Sequence, residues 1–109
     1  MENLEKALEF ANYQSTLNKE RNFLKQKFQD QTVLAYGGGL FKLTPEFIKS
    51  IESLDTDWVL DLNGNPVKIT DKTEFLEQAR QTYINAITAY GEAYQLLRTK
   101  RNVKSLVGL

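Results

Sequence analysis

A heptad pattern in the last third of the chain constrains the fold more than any other feature. Apolar residues recur at alternating spacings of three and four, and an alanine stands at every seventh position of the seam. The seam consists of Leu76, Ala79, Tyr83, Ala86, Tyr90, Ala93 and Leu97. This spacing predicts a long helix packed along another helix, and the alanines allow the two backbones to approach closely.

The first thirty residues supply the second long helix. Residues 3–30 contain no Gly or Pro, and Asn3 is a suitable N-cap. The main apolar face of this helix consists of Phe10, Tyr13, Leu17, Leu24 and Phe28, and a shorter second face consists of Leu4, Leu8 and Ala11. A helix with two apolar faces usually contacts two partners. We expect one to be the heptad helix and the other to be a small sheet or a second subunit.

Two β-hairpins are predicted between the long helices. Residues 32–43 contain two β-prone runs around Gly37–Gly39, and glycine supplies the positive φ values that a tight turn requires. Residues 58–70 contain two more such runs around Asn63–Gly64, a strong signal for a two-residue hairpin turn. Pro66 lacks the N–H that a ladder needs, which predicts an edge strand or a later strand start.

Helix-start signals place the remaining boundaries. Thr44 and Pro45 predict a short helix over residues 45–54, because a hydroxyl cap precedes a proline at the first helical position. The capping box Asp71–Glu74 predicts the start of the long helix over residues 72–101.

The fold class predicted from this order is α+β, with two long antiparallel helices and with two β-hairpins and a short helix inserted between them. We expect a single domain over residues 1–109, with a tail over residues 102–109 that is frayed or docked. The charges favour the antiparallel pairing, since the acidic start of each long helix then meets the basic end of the other. The acidic residues are Glu2, Glu5, Glu9, Asp71, Glu74 and Glu77, and the basic residues are Lys25, Lys27, Arg98, Lys100, Arg101 and Lys104.

Composition excludes several chemistries. The 109 residues include 14 basic and 14 acidic residues, so no net charge attracts the protein to nucleic acid or to an anionic membrane. The absence of cysteine excludes disulfides and cysteine nucleophiles, and the absence of histidine removes the commonest general base and metal ligand. We therefore expect no enzymatic activity, no cofactor, no metal site and no catalytic residue.

Two motifs that suggest chemistry are better explained as turns. Gly37–Gly39 followed by Lys42 and Thr44 suggests a phosphate-binding loop, but the glycines are contiguous and the spacing of the Walker pattern fails. The acidic and amide residues from Asp55 to Asn65 suggest a calcium loop, but the positions for the required glycine and glutamate hold Pro66 and Lys72. Hairpin and turn chemistry accounts for both stretches.

Two surfaces are candidates for binding. Apolar residues outside the main seams form a candidate protein interface, at Leu4, Leu8 and Ala11 and at Ile84, Ile87, Gly91 and Tyr94. A glycine on the second of these faces suggests that something packs closely there. The competing interpretation is that both faces are internal core beneath the small sheet. The basic residues Arg98, Lys100, Arg101 and Lys104 are candidate nucleic-acid contacts, although they also neutralise the dipole of their own helix.

Three stretches together resemble a known group of proteins: residues 9–14 (EFANYQ), residues 63–67 (NGNPV) and residues 101–107 (RNVKSLV). This arrangement resembles small uncharacterised proteins of large contractile-tailed phages, including marine ones. The resemblance implies a virion component, an assembly factor or an accessory protein acting on the host. It implies no activity, cofactor or catalytic residue.

The predicted function is non-enzymatic protein–protein interaction or assembly, with the protein itself or a phage or host protein as partner. The alternative is a nucleic-acid-associated accessory protein that uses the basic end of the last helix. The acidic start of the chain and the lack of a long apolar run predict no signal peptide and no membrane partner, and thus a location in the host cytoplasm or the virion.

Overall fold

The computed structural model describes the backbone of residues 2–106 and the side chains of residues 3–99. Over this part of the chain the elements are, in order, α1 (Glu2–Gln31), β1 (Val33–Tyr36), β2 (Gly39–Lys42), α2 (Pro45–Ser53), β3 (Trp58–Leu60), β4 (Pro66–Lys68) and α3 (Lys72–Leu106). The predicted α+β fold, with two hairpins and a short helix between two long helices, is confirmed.

The end of α3 differs from the prediction. The helix does not stop at residue 101 but continues to Leu106, so most of the predicted tail over residues 102–109 is helical. No glycine or proline interrupts this stretch before Gly108, and nothing local ends the helix earlier. Residues 107–109 lie outside the described residues.

The molecule is strongly elongated. It measures 67 × 23 × 19 Å and has a radius of gyration of 20.4 Å, whereas a compact domain of this length has about 13 Å. The helices α1 and α3 contain 30 and 35 residues, which correspond to lengths of about 45 and 52 Å. We call residues 32–82 the head, and we call the paired helices, residues 2–31 and 83–106, the stalk.

The two long helices are antiparallel, as predicted. The ring of Phe28 near the end of α1 lies 6.1 Å from the ring of Tyr83 and 5.1 Å from that of Tyr90. Earlier in α1, Leu24 lines one groove together with Ala93. Along the stalk towards the head, residue numbers therefore rise in α1 and fall in α3, as an antiparallel pair requires.

The heptad seam is buried or half-buried along its whole described length, but it faces two partners instead of one. Leu76 and Ala79 belong to the core of the head, where they pack among residues of the hairpins and α2. Ala93 and Leu97 lie against Leu24 of α1. The prediction that the seam packs on α1 is therefore wrong for its first turn, because periodicity identifies a buried face without identifying its partner.

Phe75 lies at the centre of the head. It is fully buried, and its ring lies 5.1 Å from the rings of both Tyr36 and Phe41 and 6.4 Å from that of Phe47. The other buried members of this core are Leu43, Ile48, Ile51, Val59, Val67, Ile69, Leu76 and Ala79. The core therefore takes side chains from both hairpins, α2 and the first turns of α3.

The start signals of α2 and α3 operate as predicted, whereas Asn3, predicted as the N-cap of the first helix, lies inside α1, which begins at Glu2. The hydroxyl of Thr44 accepts a hydrogen bond of 3.0 Å from the backbone N–H of Phe47, and Pro45 opens α2. The carboxylate of Asp71 accepts a hydrogen bond of 3.0 Å from the backbone N–H of Glu74. These contacts satisfy N–H groups that the first turn of a helix otherwise leaves without partners.

The first hairpin turns at Gly37 and Gly38, which have φ values of +58° and +85°. Tyr36 pairs directly with Gly39, so the loop contains only two residues. Positive φ at both central positions is the pattern of a type I′ turn, which matches the twist of the flanking strands. The prediction of a hairpin turn at these glycines is confirmed.

The second hairpin is present, but its turn is longer than the predicted Asn63–Gly64 pair. Leu60 pairs with Pro66, which leaves a five-residue loop in which only Gly64 has a positive φ. The reason is the side chain of Asp61, which accepts hydrogen bonds from the backbone N–H groups of Asn63 (3.0 Å) and Asn65 (2.9 Å). An aspartate that caps the loop in this way favours an Asx-type turn over the two-residue alternative.

The two hairpins form separate two-stranded sheets that dock on each other. The backbone N–H of Leu62 donates to the carbonyl oxygen of Leu40 over 2.6 Å. The carboxylate of Asp61 also accepts from the backbone N–H of Leu40 over 3.4 Å. The loop of the second hairpin is thereby held against β2 of the first.

Candidate interaction surfaces

A groove between α1 and α3 runs along one side of the stalk. Its floor consists of Leu24, Ala93 and Leu97, and its two rims carry Phe23 and Leu96. Phe23 is 67% exposed and Leu96 is 73% exposed. We call this feature, with a volume of about 450 Å³, the stalk groove. It is an apolar surface that the described part of the chain leaves uncovered.

Sequence reasoning did not select Phe23 and Leu96. The available signal is that each stands next to a residue of a predicted buried face. Phe23 comes before Leu24 of the main apolar face of α1, and Leu96 comes before Leu97 of the heptad seam. Two consecutive apolar residues on a helix lie about 100° apart, which widens the apolar stripe beyond the width that one partner helix covers.

The predicted second face of α3 is at the surface. Ile84 is 52% exposed, Ile87 and Tyr94 are each 38% exposed, and Gly91 is also exposed. The alternative interpretation, that these residues form internal core beneath a sheet, is therefore wrong. They lie on the solvent side of the stalk, and Ile84 also lines a pocket with Pro45 and Ile48 of α2.

The suggestion that something packs closely on Gly91 is wrong within the chain. Among the described residues, a Cβ atom built on Gly91 meets no atom within 4 Å apart from its chain neighbours and the nearby backbone of its own helix. The glycine therefore lowers the helix propensity of α3 without creating a close contact inside this molecule.

We predict that Gly91→Ala stabilises the isolated chain by about 1 kcal/mol, because alanine has the higher helix propensity and the site is open. Urea denaturation followed by circular dichroism measures this gain. Thr88→Ala, one turn earlier on the same face, is the control for a general effect of added alanine. Destabilisation by Gly91→Ala would show that a close contact does exist at this position.

The predicted face at the start of α1 is also exposed. Leu4 and Leu8 are 63% and 56% exposed, and Ala11 lies with them at the surface. Phe10, which we expected to face α3, is 52% exposed. In an antiparallel pair this end of α1 lies level with the C-terminal end of α3, so less of the partner helix is available to cover it.

The head carries a further apolar surface that the sequence analysis missed. Trp58, Leu60 and Leu62 are between 54% and 64% exposed, and Leu40 of the adjoining hairpin is 43% exposed. We call these four residues the head patch. The signal was present in the sequence WVLDL from Trp58, because Val59 fills the inner face while the residues on both sides of it are also apolar.

The candidate nucleic-acid contacts are only partly visible. Arg98 is exposed on α3. The side chains of Lys100, Arg101 and Lys104 lie outside the described residues. The nucleic-acid hypothesis therefore stays a prediction.

The polar groups that suggested chemistry have structural roles. The ammonium group of Lys42 donates hydrogen bonds to the carbonyl oxygen of Gln29 (2.7 Å) and to the hydroxyl of Thr32, which tie β2 to the end of α1. Among the residues that the structure describes, no group of three or more metal-ligating side chains is placed to hold a metal ion.

Among the described residues, the side chains of Asp61 and Tyr36 have shifted pKa values, and nearby contacts cause both shifts. The backbone N–H groups of Asn65, Leu40 and Asn63 hold the pKa of the Asp61 carboxyl below its usual value. Desolvation, together with the nearby carboxylate of Glu74, raises the pKa of Tyr36. The Tyr36 hydroxyl donates to Glu74 over 3.4 Å, which links the first hairpin to α3. Neither group lines the stalk groove.

The architecture is therefore a small α+β head on a two-helix stalk, with apolar surfaces on both parts. Comparison of the chain with known protein families, with curated proteins and with solved structures found no match. In the described part of the chain, none of the helices combines the length and the apolar character that crossing a membrane requires. What the geometry offers for function is its exposed apolar surfaces.

Proposed function

We propose that this chain is a non-enzymatic interaction protein that assembles with protein partners through its stalk and its head. The observation that carries this proposal is the exposure of large apolar side chains on both the stalk and the head, above all Phe23, Leu96, Trp58 and Leu60. Single exposed apolar residues are ordinary, but groups of them on one surface are typical of interaction sites.

The head patch has the chemistry of a protein interface. A tryptophan and three leucines gather on the outer face of two docked hairpins, and Lys68 stands beside Trp58 on the neighbouring strand. Interface centres are rich in aromatic and large apolar residues with polar groups at the rim. A partner that covers this patch removes apolar area from water, which is the main favourable contribution to most protein association.

A phage-encoded virion or accessory component is the setting that we propose for this interaction. Its support is the resemblance of residues 9–14, 63–67 and 101–107 to small proteins of contractile-tailed phages. A rod-shaped protein with apolar surfaces at separate places suits assembly, where one component contacts more than one neighbour.

Capture with the intact protein and with a head-patch variant tests the proposed function. The tagged full chain and the Trp58→Lys, Leu60→Lys double variant are immobilised at equal density and exposed to an extract of the native host or of virions. We expect bound proteins to decrease at least tenfold with the variant, because two charges replace apolar contacts at the interface centre.

Thr70→Lys is the matched control, since it adds a charge at an exposed polar position of the head. Circular dichroism checks that all three proteins fold equally. Equal recovery of every bound protein with the wild type, the variant and the control contradicts an interaction function for the head.

A further inference from the structure

We propose that a second copy of this chain docks in the stalk groove, so that two stalks form an antiparallel four-helix bundle with the heads at opposite ends. The inference rests on the proposed interaction function and names one partner and one surface for it.

Two helices alone bury only the stripe between them. The stalk buries Leu17 and Leu97 in that stripe, whereas Phe23 and Leu96 on the groove rims are 67% and 73% exposed. When two helical hairpins pack side by side, residues on such rims become buried in the core of a four-helix bundle. The apolar residues that one pair of helices leaves exposed are then covered by the other pair.

The available area suits a dimer. The side of the stalk is two helices wide, and with the symmetry axis near Leu96 the two stalks overlap over about 35 Å, so with a helix diameter of about 10 Å each copy offers roughly 700 Å². A standard protein–protein interface takes about 600–1,000 Å² from each partner. One side of the stalk is thus large enough for a stable contact without help from the head.

The groove lies on the side of the stalk that α2 leaves open. Ile84 lines a pocket with Pro45 and Ile48 of α2, so this edge of α3 lies beneath the head. Leu96 comes twelve residues after Ile84, which places it about 120° around the helix at 100° per residue. A second stalk can therefore reach the groove without meeting α2.

The positions of the side chains along the stalk favour a dimer in which the two heads point in opposite directions. In that arrangement α3 packs on the α3 of the second copy, and Leu96 near the symmetry axis meets Leu96 of the second copy. With both heads at the same end, Leu96 would instead lie over Lys19, which lines the same groove.

The charges of the groove rim are self-complementary. Lys19 and Glu20 are neighbours on the groove, close to the level of Leu96. A twofold contact places the same patch on itself, so the positive and negative charges of the patch face charges of opposite sign on the second copy. Exposed ion pairs contribute little energy, and their role here is to align the two copies.

Sedimentation equilibrium of the full chain tests the dimer at concentrations up to roughly 200 µM. We expect twice the chain mass of 12.5 kDa. Phe23→Lys and Leu96→Lys should each raise the dissociation constant at least about 30-fold, because each places a charge at the centre of the interface. Ile84→Lys is the control, because Ile84 is also exposed (52%) but lies outside the groove. Thermal unfolding checks that all variants fold.

The orientation has a separate measurement. Because the chain contains no cysteine, Asn63→Cys gives one spin-label site at the head of each copy. Opposite heads predict a label separation above about 40 Å, because the stalk meets the head at residue 83, about 20 Å along α3 from the symmetry axis at Leu96, and a shorter separation overturns this arrangement. A monomeric mass of the wild type over the whole concentration range overturns the dimer. A dimer that Ile84→Lys dissociates and Phe23→Lys leaves intact overturns the groove as its interface. None of these results bears on capture by the head patch, so failure of the dimer and failure of the proposed function are distinguishable.

Discussion

Replacing Phe75 with alanine is expected to destabilise the protein by about 3–5 kcal/mol, the range for removal of a fully buried phenylalanine. The ring is completely buried and contacts three other aromatic rings that come from the first hairpin and from α2. Domains are stable by only about 5–15 kcal/mol. The variant should therefore lose a large share of its stability, measured as a lower midpoint in urea.

Phe10→Ala is the matched control for this prediction. It removes the same ring from a position that is 52% exposed on the stalk. We expect a loss below about 1 kcal/mol there. Equal losses at Phe75 and Phe10 would mean that the centre of the core does not lie at Phe75.

Replacing Gly39 with alanine is the second large effect, with an expected loss of about 1–3 kcal/mol from overpacking. A Cβ atom on Gly39 would lie 2.7 Å from Cγ2 of Val67 and 3.2 Å from Cβ of Asp61. Favourable carbon contacts lie at about 3.5–4.0 Å. Val67 is buried and β-branched, so its side chain cannot turn away easily. The two hairpins must then move apart.

A double-mutant cycle separates this contact from a general effect on the strand. Gly39→Ala should be less destabilising in a Val67→Ala background, because most of the steric overlap is then removed. Urea denaturation of the four proteins gives the coupling energy. Additive effects would show that Gly39 is required for a reason other than its contact with Val67.

The elements of this fold could be predicted from sequence because their start signals are local. The side chains of Thr44 and Asp71 accept hydrogen bonds from the backbone N–H groups three residues later, at Phe47 in α2 and at Glu74 in α3. The glycine turn at Gly37 likewise depends only on backbone conformation. Such signals need no knowledge of distant contacts, and the structure confirms each of them.

The partners of the elements were harder to predict. The heptad pattern correctly marks a buried face, but Leu76 and Ala79 face the hairpins instead of α1. The Asn63–Gly64 pair favours a two-residue turn, but Asp61 captures the neighbouring N–H groups and gives a longer loop. In both cases a contact outside the local pattern decides the outcome.

For the candidate surfaces, too, the local pattern could be predicted from sequence but the packing between elements could not. Ile84 and Tyr94 could be selected because they lie outside the seam, and they are indeed exposed. Phe23 and Trp58 were missed because their neighbours fill the predicted core positions. Exposure of an apolar residue depends on how many elements pack around it, which periodicity alone does not specify.

The position of Trp58 also gives the protein a built-in optical reporter. It is the single tryptophan of the chain, it is 55% exposed on the head patch, and the stalk contains only tyrosine and phenylalanine as aromatic residues. Its emission therefore reports directly on whether the head patch is covered, because no tryptophan of the stalk contributes to it. Titrations followed by fluorescence can thus detect a partner at the head patch without any added dye.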